Sequence, residues 1–313
     1  MRALGSLLRV MHLFLLAMVM VGSRPGAAWT QDQPTTLPDQ LVKPAPIPAK
    51  EDHLWTGWTL VAGSYAAIGG YGYYSWSQEE DHRDFFFKSD GWFGKDTYAG
   101  GADKVGHCFS NYLLTRSGYD ILSWAGLSRD HALTASVALA ALLYTAIEIK
   151  DGRTKHLGFS WNDIVADVCG NLLATALVLN PSLDRALDFR LEYYPTREYL
   201  DAVNDTGTLN PVEDYSGMTF GLWYHLSEVP GLKKVPVVSW LRFVDLGVTY
   251  GTRNYRPDPY DNGAPRQELS AALTLNIAAI VRALAGDHAH PIVSASNWIF
   301  EYFTIPGTTL KVR

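Results

Sequence analysis

Cysteine is scarce in this chain of 313 residues, with only Cys108 and Cys169 present. At most one disulfide can therefore form, and the bland alternative is two small buried apolar side chains. Excess positive charge is also missing. The formal net charge is −6 and no Lys/Arg stripe interrupts it, which argues against a nucleic-acid partner. Common catalytic signatures are absent too: there is no P-loop, dinucleotide fingerprint or HExxH. Ser160 follows Gly158-Phe159 but lacks the second glycine of a nucleophile elbow. The paired Glu-x-x-His motifs of di-iron bundles do not occur, and no internal repeat is visible.

What is present begins with a leader. Arg2 and Arg9 precede a run from Val10 to Gly22 that is apolar apart from His12, and Gly26-Ala27-Ala28 offers small residues for cleavage. Residues 1–28 thus read as a secretory signal peptide. No cysteine lies near that junction, which argues against a lipid-anchored form. Residues 29–50 carry prolines at 34, 38, 44, 46 and 48 among polar residues, a linker composition that cannot bury a core. Residues 51–189 are read as a helical domain. Leu54 to Gln78 contains no charge and has aromatics at both ends, which suits a membrane helix or a buried or interfacial one. Helices are expected from Asp103 to about Trp124, from about Ser128 to Lys150 and from Trp161 to Leu179, the last ended by Asn180-Pro181. In the second of these, Ala132 to Ile147 is uncharged and rich in alanine, which permits close helix approach in a core or in a bilayer.

From residue 190 to 313 the pattern changes. Met218, Phe220, Leu222, Tyr224 and Leu226 alternate at period two, as do Val244, Leu246, Val248 and Tyr250. Leu269 to Ile277 alternates as well, although Leu269, Leu273, Ile277, Ile280 and Leu284 also make a helix stripe. The expected fold is therefore α+β: a helical N-terminal half of about four helices, membrane-associated or not, then a smaller antiparallel β region.

Three short acidic clusters carry the chemistry. They are Asp103-Lys104-x-x-His107, Glu148-x-x-Asp151, and Gly158-Phe159-Ser160-Trp161-x-Asp163-x-x-x-Asp167-x-x-Gly170. Spacings of three and four put the ionisable groups of each cluster on one helix face. Each also has a plain local explanation: Asp103 as an N-cap, Ser160 and Asp163 as a capping box, Asp151 as a helix end. Asp167, Glu148 and His107 lie deeper in apolar stretches, and buried charges need compensation. His107, Glu148, Asp163 and Asp167 are accordingly the candidate catalytic cluster, with His107 as acid–base. Asp103, His107, Glu148, Asp151, Asp163 and Asp167 are the candidate ligands of a divalent metal. His107 or a metal is the expected cation between Asp163 and Asp167, with Lys104 a poorer one because it sits off that face.

The same motifs resemble the YfiM-like family of bacterial envelope proteins over roughly residues 85 to 180, and more distantly the VanZ-like membrane proteins. Cys108 departs from the aromatic usual there. The resemblance implies an exported protein, periplasmic or at the outer membrane of a Gram-negative envelope, with membrane or envelope components as partners. It implies no particular reaction. An accessory or structural envelope role is the leading expectation, and a metal-dependent or acid–base enzyme acting on a lipid or cell-wall substrate is the alternative.

Overall fold

The computed structural model describes residues 53–77, 84–155, 157–206, 210–229, 231–232, 236–255, 264–285 and 291–312. The expected signal peptide and linker lie outside them. The fold is α+β. Four long helices come first: α1 (Leu54–Ser77), α2 (Ala102–Trp124), α3 (Arg129–Asp151) and α4 (Trp161–Leu179). After the short α5 (Pro181–Asp184) come β1 (Leu187–Tyr193), α6 (Arg197–Thr206), β2 (Met218–His225), β3 (Val244–Arg253) and β4 (Arg266–Leu275). The chain then forms α7 (Ile277–Ala285), α8 (Pro291–Tyr302), β5 (Phe303–Thr304) and β6 (Leu310–Val312).

Two expectations need correction. Eight α-helices are seen among the described residues, not about four, because α6, α7 and α8 lie in the region expected to be β. The sheet, in order β5-β1-β2-β3-β4-β6, is mixed rather than antiparallel, since β1 and β5 run parallel. The segment with two competing patterns turns out to hold both in succession. It is strand up to Leu275 and helix from Ile277, and Asn276 caps the helix by accepting from the Ala279 amide.

Two apolar clusters hold the helices. Val61, Ile121, Leu122 and Ala132 join α1, α2 and α3. Phe109 and Tyr112 of α2, with Ala174 and Leu177 of α4, pack on Phe189, Met218 and Phe220 of the sheet and Tyr302 of α8. Arg116 of α2 adds ion pairs to Asp184 at 2.7 Å and Glu301 at 2.5 Å. By length and composition α3 and α4 are the two helices, among the described residues, that could cross a membrane.

Gly170 sets how close α2 and α4 come. A Cβ built there would lie 2.1 Å from the Cys108 carbonyl oxygen, so only glycine fits. The neighbouring thiols of Cys108 and Cys169 are both free, Cys169 being exposed. Gly170→Ala is expected to destabilise the fold by about 1–3 kcal/mol through overpacking. Gly63→Ala, where nothing lies within 4 Å of a new Cβ, should instead gain about 0.5–1 kcal/mol as a helix-interior change. Urea unfolding of the two variants checks this, and equal stabilities would refute the close-approach argument.

Candidate functional site

The N-terminal turns of α2 and α4 and the C-terminal turn of α3 bring the three acidic clusters together. His107 Nδ1 lies 3.0 Å from Asp167 Oδ1, and His107 Nε2 lies 3.8 Å from Glu148 Oε1. Asp167 Oδ1 also accepts a 2.6 Å bond from Asn111 Nδ2. That oxygen is thus an acceptor, so His107 donates to it from Nδ1 and turns Nε2 toward Glu148. Glu148 Oε2 is held by the Ser160 amide at 3.0 Å, and Tyr144 packs edge-on against the imidazole.

Lys104 is the correction to the expected charge balance. Its ammonium is buried among Asp90, Asp103 at 2.6 Å and Asp163 at 2.8 Å. A four-carbon stem lets it reach a face that helical spacing alone denies it. Asp103 is consequently not an N-cap: Gly101 occupies that position in a left-handed conformation, and Asp103 pairs with Lys104. The capping box is divided as well. Ser160 caps α4 by accepting from the Asp163 amide at 3.3 Å, while the Asp163 carboxylate turns to Lys104. Asp151 ends α3 as expected, with Gly152 after it.

Asp90 was not foreseen. It lies in the aromatic loop before α2, where no helical period marks it. The loop is pinned by a bridge between Phe87 and Phe159, and Ser160 Oγ donates to Asp90 at 2.8 Å. Gly158, at φ +87, makes the turn that brings Phe159 there.

Six carboxylates (Asp90, Asp103, Glu148, Asp151, Asp163, Asp167) thus face two cationic side chains, Lys104 and His107. Burial is the main cause that raises the acids: Glu148 to about 8, Asp151 to about 7, Asp103 to about 6, and Asp167 also upward. For His107 burial works downward, but the hydrogen bond to Asp167 and the charges of Asp163, Asp167 and Glu148 outweigh it and lift the imidazole to about 10. Three oxygens remain without hydrogen-bond partners, Asp103 Oδ1, Asp151 Oδ1 and Asp167 Oδ2, while Asp163 Oδ1 is ion-paired to Lys104. One donor atom each from His107, Glu148 and Asp163 lies within 4.8 Å of the others, which is a set that could hold a metal ion. Asp90, Asp103 and Asp163 make a second such set, but the Lys104 ammonium already lies among them.

A second buried network, unread in the sequence, lies inside the sheet. His225 contacts Asp245 at 2.8 Å and Asp188 at 3.2 Å, Arg190 Nη1 meets Asp245 at 2.7 Å, and Asn276 donates to Asp245 at 2.9 Å. Arg190 also pairs with Asp188, and Arg282 of α7 lies within electrostatic reach of Asp188. Residues from β1, β2, β3 and the β4–α7 junction meet here, so no local spacing reveals it.

Lys104→Met should cost about 3–5 kcal/mol in chemical denaturation, because it strips the counter-charge from buried carboxylates. A loss under about 1 kcal/mol would mean that water reaches them. A pH series tests the second network. Burial lowers the His225 pKa, but bonds to Asp188 and Asp245 prevail and raise it to about 9. Asp188 is instead lowered, Arg190 and His225 outweighing burial. The His225 contribution is full below its unfolded pKa of about 6.5 and disappears as pH rises through about 9. That of Asp188 is full above about 4 and is lost in acid. Thermal melting should therefore decline from about pH 6.5 to 9.5, with His107 and Glu148 contributing as well, and His225→Gln should make that decline shallower. A variant with the wild-type slope would remove His225 from the account.

Residues 89–180 match the model of a family described as predicted periplasmic lipoprotein (DUF2279). No curated protein and no solved structure matches the chain. The matched segment holds Asp90 and helices α2 to α4, hence every member of the His107 cluster, while the sheet lies beyond it. The match supports an exported cell-envelope protein of unknown activity.

Proposed function

We propose that this is an exported envelope protein whose helical half binds a divalent cation through His107, Glu148 and Asp163. The hydrogen bond between His107 Nδ1 and Asp167 is the observation that carries the reading. Metal-ligating histidines are commonly oriented by a carboxylate on the far ring nitrogen, which fixes the tautomer and aims the other nitrogen at the ion. Here Asp167, itself held by Asn111, takes that outer position and Nε2 faces Glu148. The excess of carboxylates over cationic side chains provides the charge that a cation neutralises. A nitrogen with two carboxylate donors suits Zn²⁺ or Mn²⁺. Asp103 and Asp151, also considered as ligands, fall outside this set; Asp103 belongs to Lys104.

Three protein ligands leave a coordination position open, and the His107 side chain is 18 % exposed, so the site is not sealed. This favours a second, narrower reading, a metal-dependent hydrolase acting on an envelope lipid or cell-wall substrate, in which an ion held by His107, Glu148 and Asp163 would supply Lewis acidity and an activated water. The resemblance to the YfiM-like and VanZ-like proteins fits an envelope setting and names no substrate.

Elemental analysis and titration calorimetry with Zn²⁺ and Mn²⁺ test the cation. The wild-type chain should bind one equivalent. His107→Ala and Glu148→Gln should abolish binding, and Asp167→Asn should weaken it by about 10–100-fold as an orienting change, with circular dichroism unchanged. A wild-type protein without affinity for either ion, or undiminished affinity in His107→Ala, would overturn the proposal.

A further inference from the structure

The sheet is inverted in polarity. Strand pairing fixes which residues share a face: Leu222, Val248, Ala271 and Val312 form one row across β2, β3, β4 and β6, and Tyr224, Leu246, Leu273 and Leu310 form the next. Val244 with Leu275 and Tyr250 with Leu269 extend it. That face contains no charged residue; at its β1–β2 end Phe189, Met218 and Phe220 pack on α2 and α4, and the rest is turned outward. The opposite face carries Asp188, Arg190, Glu192, His225, Asp245, Glu268 and Lys311. It is turned inward, and Asp188, Arg190, His225 and Asp245 are buried. The segment joining β5 to β6 spans from one side of the sheet to the other. Thr309 donates to Glu192 of β1 at 2.6 Å, and Thr274 of β4 contacts Thr308 at 3.3 Å.

A sheet covered on one side in water puts its apolar side chains inward and its polar ones out. Here the outward Leu222, Val248, Leu269, Leu275, Leu310 and Val312 are each between 43 % and 73 % exposed. With Tyr224 and Leu246 they amount to roughly 700 Å² of charge-free surface, above the ~300–600 Å² of the largest patch on an ordinary monomer. Apolar outside and polar inside is the pattern of a sheet facing hydrocarbon, and strands of about ten residues, as in β3 and β4, are the length used there.

From this polarity we infer that the outward face of β2, β3, β4 and β6 lies against the acyl chains of a lipid bilayer. A second copy of the chain is the competing occupant, and an observation on α4 weighs against it. Val165, Val168, Leu172 and Leu179 form another exposed apolar stripe there. One two-fold contact covers a single patch and would leave the other in water, whereas a bilayer has no such limit. No residue of the His107 cluster lies on this face, so the bilayer contact is independent of the cation site.

The test uses the mature full-length chain in vesicles of phosphatidylethanolamine and phosphatidylglycerol doped with an acyl-chain diazirine lipid. Photolabelled peptides are mapped by mass spectrometry. Label is expected on Val244–Arg253 and Arg266–Leu275. It should drop at least tenfold in a Val248→Glu, Leu269→Glu double variant that keeps wild-type circular dichroism, since both side chains are exposed. Protein bound to vesicles with these strands unlabelled would overturn the inference. So would failure to bind vesicles, or a soluble dimer that cross-links through the sheet and dissociates in the double variant.

Discussion

The backbone contact between α2 and α4 at Gly170 is the constraint on which the helical half depends. Because no side chain separates Gly170 from the Cys108 carbonyl, the two helices meet closely enough for short aspartates to reach across. Asp167 lies one turn before Gly170 and contacts His107, one residue before Cys108. Thr115 and Asn171 repeat the cross-helix bond one step further along at 2.6 Å. A wider helix pair would leave these carboxylates in a gap that longer side chains or water would have to fill.

Closeness has an electrostatic consequence. Packing Asp103, Glu148, Asp163 and Asp167 at 7 % exposure or less brings like charges into a medium that screens them poorly. Lys104 resolves one side of this by sitting among Asp90, Asp103 and Asp163. On the other side the cation in contact with Glu148 and Asp167 is an imidazole, and burial lifts the pKa of Glu148 to about 8. The two sides therefore differ in kind. One is a filled ion-pair network of the sort that holds helices in register, and the other has donor atoms in excess of cations. That asymmetry directs the functional reading to His107 rather than to Lys104.

The sheet solves its charge problem differently. Asp188 and Asp245 are matched by Arg190 and His225, with Asn276 completing the bonds. With Arg282 also in electrostatic reach, cationic groups match the two acids, so this network is charge-satisfied by its own side chains. It also gives the sheet a polar interior in which Gly221 and Gly247 leave room for Trp223. The apolar side chains are then left to the outward face, where part of them meets α2 and the remainder is exposed.

The sequence by itself determined much of the local architecture. The extents of α2, α3 and α4 were legible because helical runs interrupted by breakers and, in α4, the Ser160 cap and Asn180-Pro181 act over a few positions, and β2, β3 and β4 because period-two alternation does likewise. His107, Glu148, Asp163 and Asp167 stood out because charges in apolar helical runs demand partners. Tertiary structure alone decided the rest. Asp90 joined the site through the Phe87–Phe159 bridge, and Lys104 displaced the expected N-cap role of Asp103 by reaching across to α4. The sheet network was invisible because its members lie on separate strands, each an unremarked polar residue in an alternating pattern. Alternation reveals that a strand has two faces; only curvature and packing determine which of them meets water.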